Sequence, residues 1–222
     1  DVQSKCFSFL NRSHSFSSRI DWNWLGYGRL WVYNLNYFEY LDQENLPKEG
    51  GYVMYPNHQG KYDALGIIST HKEPCSLVMD EAKSHTILVS EFVDLLQGKR
   101  LIKDNVRQAL KIITEVSEDV KNGKKYILFP EGGYEFNNRN RVCDFKAGSF
   151  KSAIKAHVPI VPIALIDSYK VFNSFYLWPI TTQVHYLEPI YYEEYKDMKS
   201  TEIAAEVQHR IEEVIAANSK EN

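Results

Sequence analysis

Cysteine is scarce in this 222-residue chain. There are three, Cys6, Cys75 and Cys143, far apart and odd in number. No pair has C-x-x-C spacing, so neither a disulfide framework nor a zinc site is expected, and a reducing compartment fits. Long apolar runs are missing as well. No stretch approaches the ~20 residues of a membrane span. The start of the chain also lacks the basic segment and apolar run of a secretory leader. The expectation is a cytoplasmic chain, at most peripheral on the inner face of the cell membrane. Basic excess is absent: 26 Lys and Arg stand against 29 Asp and Glu, a net charge of −3. A wide nucleic-acid footprint would need a net basic face, so nucleic acid is not an expected partner. Repeats and low-complexity tracts are absent too. With 44% hydrophobic residues, the chain can bury the core of one domain carrying a short appendage.

Two regions are expected. Residues 1–43 form an aromatic-rich N-terminal segment, and residues 44–222 form the main domain. Eleven of the thirty aromatics fall before residue 43, and Trp22, Trp24, Tyr27, Trp31, Tyr33, Tyr37, Phe38 and Tyr40 crowd together. Such a patch is either buried against the domain or placed at a lipid headgroup layer, where Trp and Tyr concentrate. The lack of an amphipathic stripe with a basic polar side weighs against the second. Phe9-Leu10-Asn11, Ile20-Asp21-Trp22 and the run Leu30 to Phe38 resemble the start of a heparinase II/III-type polysaccharide lyase. That resemblance includes none of a lyase's catalytic parts and implies a fusion remnant without activity.

From Leu46 the pattern alternates between strands and helices. Strands are expected at Tyr52–Tyr55, Ser76–Met79, Arg100–Lys103, Tyr126–Phe129, Pro159–Ile166 and Gln183–Leu187. Helices are expected at Asp63–His71, Glu81–Gln97, Val106–Lys121, Ser149–His157 and Glu202–Ala217. In Val106–Lys121 the apolar face is drawn through Val106, Ala109, Leu110, Ile113 and Val116. The fold class is α/β, with a mixed, largely parallel central sheet flanked by helices.

Three stretches carry chemistry. In Asn57-His58-Gln59-Gly60-Lys61-Tyr62-Asp63, five residues separate a histidine from a carboxylate. Five steps of ~100° do not align two residues on one helix. The pair meets if His58 lies in the loop before the helix and Asp63 in its first turn. One ring nitrogen then donates to the carboxylate and the other is left as a base. Alone, the spacing is weak. In Phe129-Pro130-Glu131-Gly132-Gly133 a buried strand runs into an exposed acid on a glycine turn, suited to a polyol hydroxyl. In Phe145-Lys146-Ala147-Gly148-Ser149-Phe150-Lys151 Lys146 and Lys151, with the N-terminus of the expected helix, can hold an anion. His14, His71, His85, His157, His185 and His209 have no ligand spacing and are read as structural or solvated, and no metal site is expected.

These stretches in this order, followed by Val158-Pro159-Ile160-Val161-Pro162, resemble the 1-acylglycerol-3-phosphate (lysophosphatidic acid) acyltransferases, the PlsC-like family, over about residues 44–215. The resemblance implies fatty acyl transfer from acyl-CoA or acyl-carrier protein, with no bound cofactor, to the free hydroxyl of a lysophospholipid at a membrane surface. It makes His58 the general base, Asp63 its orienting partner, Glu131 and Gly132 part of the acceptor site, and Pro159 a neighbour of the acyl or acceptor site. Two departures stand out. Where the family has a phosphate-contacting arginine, this chain offers Lys103, with Arg100 as second candidate. Where the family often has Thr-Arg after Glu-Gly, it has Gly133-Tyr134, with Arg139 or Arg141 as replacements for the lost cation. Lysine is a point charge rather than a bidentate fork, so these changes bear on the headgroup more than on the chemistry. A hydrolase using the same pair on water, and a non-catalytic lipid-binding module, are the alternatives.

Overall fold

The computed structural model describes residues 37–86, 89–135, 138–173 and 180–219. Along the chain these form β1 (Tyr37–Leu41), β2 (Tyr52–Pro56), α1 (Asp63–Thr70), β3 (Cys75–Asp80), α2 (Glu81–Ser84), α3 (Val89–Leu95), β4 (Lys99–Leu101) and α4 (Val106–Lys121). They continue with β5 (Lys125–Ile127), α5 (Lys151–Ala156), β6 (Ile160–Ile166), α6 (Lys170–Asn173), β7 (Thr181–Tyr186), α7 (Tyr192–Tyr195) and α8 (Ser200–Asn218). The strands lie in one sheet in the order β1-β7-β6-β2-β5-β3-β4. From β6 to β4 every pairing is parallel, β7 runs antiparallel to β6, and β1 is parallel to β7. The sheet is therefore mixed and largely parallel, as the alternation of elements implied.

Strands β2 and β6 are buried along their whole length. Their side chains alternate between two cores, as a period of two dictates. Val53, Tyr55, Ile160, Ala164 and Ile166 face a layer made by α4, α5 and α8, with Val116, Phe150, Val207 and Ile211 in it. Tyr52, Met54, Val161, Ile163 and Leu165 face the opposite layer, with Ile67 and Ile68 of α1. Under that second layer Tyr52 Oη is 2.7 Å from His71 Nε2, and Thr70 Oγ1 is 2.8 Å from Tyr186 Oη. Burial holds the His71 ring below its ordinary pKa, so it serves as a neutral acceptor there.

Several boundaries shift from the sequence reading. The helix expected over Glu81–Gln97 is two short ones, α2 and α3. The helix expected from Ser149 opens as a 3-10 turn at Ala147–Phe150. The apolar face assigned to α4 is corrected: Ile112, Val116 and Val120 are buried, whereas Val106 and Leu110 are exposed. The helix reaches the core only from the end of its second turn, so its first apolar positions clear the sheet. β1 joins the sheet through β7, and Tyr37 pairs with Thr181, just before the boundary drawn at residue 43. Most of residues 1–43, with Cys6 and His14, lie outside the described residues.

Gly51, directly before β2, sits where the loop after α4 crosses. A Cβ there would collide with the Val120 carbonyl and stand 2.5 Å from Lys124 O. Those obstacles are backbone and cannot rotate away. Gly51→Ala is expected to lower unfolding stability by at least about 2 kcal/mol, read from urea denaturation. A midpoint equal to wild type would show that the crossing is loose.

Candidate active site

In a parallel sheet, loops at the carboxyl ends of the strands build the site, above all where connections leave in opposite directions. Here the chain leaves β2 toward β3 on one side and returns through β5 to β6 on the other. Three loops meet at that edge. His58 follows β2, Glu131 follows β5, and Asp167 and Ser168 follow β6.

His58 lies in the loop and Asp63 is the first residue of α1, the arrangement the spacing required. His58 Nδ1 donates to Asp63 Oδ2 over 2.7 Å; the carboxylate is fully buried and the imidazole only partly exposed. Oδ2 also accepts from the amides of Gln59 (2.6 Å) and Gly60 (2.9 Å). Oδ1 accepts from Ser168 Oγ at 2.6 Å. A buried carboxylate is tolerated because four donors replace its water. With Nδ1 committed as donor, Nε2 is left as acceptor, and among the described residues it has no hydrogen-bond partner. The ring is stacked on Phe129 (centroids 4.2 Å, 29°) and meets the Tyr134 ring edge-on (4.8 Å, 74°). Burial, with the nearby Asp63 charge, holds the Tyr134 phenol above its ordinary pKa.

The expectation of an exposed acid after β5 is corrected. Glu131 is only 6% exposed. Its Oε1 accepts from the His58 amide at 2.8 Å, while Oε2 is buried without a hydrogen-bond partner. Glu131 therefore positions the backbone that carries the histidine. Burial pushes its carboxyl up to about 7, the Asp63 charge adds to the rise, and the His58 amide and Cys143 work against it.

The cationic candidates separate. Gly132 has φ +73°, a left-handed conformation suited to glycine, and its Cβ position lies 2.5 Å from Lys146 Nζ. A side chain at 132 would push that lysine away. Lys103 Nζ is 3.9 Å from the corresponding position at Gly133, and its ammonium is 3.6 Å from Asp80. Lys83, which was not singled out from sequence, stands over the Tyr134 ring at 5.0 Å. Three ammonium groups thus border the residues from Gly132 to Tyr134. Arg100 is engaged elsewhere: it pairs with Asp94 at 2.7 Å and donates to Ser84 and Ser90, which ties α2 to α3. Pro159 is corrected as a site residue. It precedes β6 at the opposite edge of the sheet, where its carbonyl accepts from the Val53 amide; seven residues of strand separate it from Asp167.

A second ring of side chains escaped the sequence reading. Asn57 Oδ1 accepts from the Leu165 amide (2.7 Å) and Nδ2 donates to its carbonyl (3.1 Å), prolonging the β2–β6 pairing by one side chain. Gln59 Nε2 donates to Leu165 O and to Asn140 Oδ1. Asn140 in turn accepts from the Asp167 amide. Only the adjacency of Asn57 and Gln59 to His58 hinted at this; the contacts to Asn140 and Ser168 span 81 to 109 residues. Among the described residues no group of three or more His, Cys, Asp and Glu side chains is placed to hold a metal ion.

The geometry places a histidine hydrogen-bonded to a buried aspartate at the carboxyl edge of an α/β sheet, with a cationic rim. Known proteins similar to the chain include acyltransferases. A family model described as Acyltransferase matches residues 38–166. The chain is 31% identical over 185 residues to the 1-acyl-sn-glycerol-3-phosphate acyltransferase of Salmonella typhimurium, covering 81% of this chain and 72% of that one. It is 29% identical over 143 residues to human 1-acyl-sn-glycerol-3-phosphate acyltransferase beta, covering 63% and 48%. The Saccharomyces cerevisiae 1-acyl-sn-glycerol-3-phosphate acyltransferase is 26% identical over 141 residues, covering 60% and 46%. The chain spans about half the length of the latter two. The crystal structure of the 1-acyl-sn-glycerophosphate (LPA) acyltransferase PlsC from Thermotoga maritima shares the fold, with TM-score 0.66 and 24% identity over 83% of this chain and 75% of that one. This chain belongs to the acyltransferase family.

The Glu131 shift gives a stability test. Its carboxyl is raised above the unfolded value, so its favourable contribution is present below about pH 4.5 and is lost as pH rises through about 7. Glu131→Gln keeps an acceptor for the His58 amide and removes the charge. It is expected to be more stable than wild type near pH 8, by up to roughly 3 kcal/mol, and equal to it near pH 4. Denaturation curves at both pH values check this; a constant difference would mean that the carboxyl does not ionise in this window.

Proposed function

We propose that this chain moves a fatty acyl group from acyl-CoA or acyl-carrier protein to the free hydroxyl of a lysophospholipid, with 1-acyl-glycerol-3-phosphate as the acceptor and phosphatidic acid as the product. The observation that carries the reading is the His58–Asp63 pair, whose Nε2 has no hydrogen-bond partner, hydroxyl or thiol included, among the described residues. His58 sits on one carboxylate oxygen of Asp63, whereas Ser168 has its oxygen 2.6 Å from the other, Oδ1. It is a positioning residue, so the reacting hydroxyl must arrive with the substrate.

In this mechanism Nε2 removes the proton of the acceptor hydroxyl as its oxygen bonds to the thioester carbonyl carbon. Asp63 stabilises the imidazolium that forms. The tetrahedral adduct collapses, the carbon–sulfur bond breaks, and the imidazolium returns its proton to the leaving thiolate. No acyl-enzyme forms. Phe129 and Tyr134 hold the ring plane and shield it from water, which favours an alcohol over hydrolysis. Lys83, Lys103 and Lys146 supply the positive charge that an acceptor phosphate needs. The work is done at the cytoplasmic face of the membrane, on a protein whose described helices include none long and apolar enough to cross it.

His58→Ala is expected to abolish acyl transfer from acyl-CoA while leaving the melting temperature within a few degrees of wild type. Mass spectrometry of products from a mixed lysolipid panel reads both transfer and acceptor. Release of free fatty acid independent of any acceptor would instead indicate a hydrolase. Lys83→Ala, Lys103→Ala and Lys146→Ala should each raise the acceptor KM about 5- to 10-fold with little change in kcat. Unchanged KM in all three would remove the lysines from acceptor binding.

A further inference from the structure

Among the described residues five large apolar side chains are exposed, and three of them fall within nine residues. Ile102 (41%) lies in the loop after β4, and Val106 (73%) and Leu110 (54%) follow in the first two turns of α4. Val106 and Leu110 are four apart and share a helix face. The core does not explain them, because α4 packs inward through Ile112, Val116 and Val120. Such a cluster on a surface marks an interaction site.

The charges around it say what covers it. Lys103, Arg107 and Lys111 flank the three apolar residues, against Asp104 within the stretch. Lys103 is near Asp80 (3.6 Å) and Lys111 near Glu115 (3.8 Å), both long contacts from exposed ammonium groups that headgroups can compete for. Arg107 has no acidic partner among the described residues. Apolar side chains with a basic margin suit the boundary between anionic headgroups and acyl chains. The position fits as well. β4 runs parallel to β2, so the loop after it lies on the site's edge of the sheet, and Lys103 in that loop borders Gly133.

We propose that Ile102, Val106 and Leu110, with Arg107, form a docking surface for an anionic phospholipid bilayer that sets the site's edge against the lipid. The surface serves the acyl transfer proposed above, but binding can be measured without it. The experiment is co-sedimentation of the full chain with vesicles of phosphatidylcholine alone or mixed with phosphatidylglycerol, in low and high salt, beside transfer from acyl-CoA to a short-chain, water-soluble lysolipid. Wild type should bind the anionic vesicles, and less so in high salt. The pair Val106→Asp and Leu110→Asp, and separately Arg107→Glu, should each lower partitioning by about tenfold or more. Transfer to the soluble acceptor should stay within twofold, which also shows that the variants fold. An aspartate in the first turn of a helix favours that helix, so Val106→Asp is a mild change. Equal binding of wild type and variants overturns the proposal, as does wild-type binding to neither vesicle. A wild-type dimer that the aspartates convert to monomer overturns it too, because the patch would then be a protein interface. Binding that follows these substitutions in a protein without transferase activity would leave the docking surface standing and overturn the proposed reaction.

Discussion

One buried carboxylate sets the arrangement of the site. Asp63 has no exposure, and each of its four hydrogen bonds comes from a different residue: His58, Gln59, Gly60 and Ser168. An unpaired charge at that depth is too costly to persist, so the loop after β2 must curl until its amides face the helix start. The loop after β6 must likewise approach until Ser168 reaches the remaining oxygen. The conformation that solvates Asp63 is the one that holds the imidazole. Folding and preorganisation of the base are thus one requirement, met by the same four donors.

The rim obeys a different logic. Around the histidine, contacts are short and side chains are held on two sides. Around Gly132 to Tyr134 the cations are lysines on flexible stems, one above a glycine, one near a second glycine, and one over an aromatic ring. Such charges attract an anion without dictating the orientation of its oxygens. The site thus combines a rigidly held imidazole with a loosely specified counter-charge.

Much of this was legible in the sequence. Apolar runs marked six of the seven strands, β1 being missed, periodicity set the bounds of α4, and the spacing of His58 and Asp63 implied a loop residue facing a first helical turn. What escaped depended on distance along the chain. Ser168 lies 105 residues from Asp63, and nothing in its neighbourhood distinguishes it from any serine after a strand. Glu131 was misread because a glycine turn suggests exposure, whereas the amide of His58, at the end of the adjacent strand β2, draws the carboxyl inward. Val106 and Leu110 misled for the opposite reason: periodicity reports which residues share a face, not whether that face meets the core or the outside. Pro159 shows the limit of a motif read as a unit, since a strand carries its two ends to opposite edges.

The reversed direction of β7, and of β1 beside it, bears on the aromatic-rich stretch that precedes Tyr37. Because β1 runs opposite to β2, it enters the sheet at the edge where the other strands leave it. Tyr37 pairs with Thr181, beyond the end of β7 that lies beside Ile166. Three strand spacings separate β1 from β2, about 14 Å. The covalent junction of that stretch is therefore a close neighbour of His58 along the same rim. A truncation or fusion made at Tyr37 therefore alters the rim of the sheet that also carries His58.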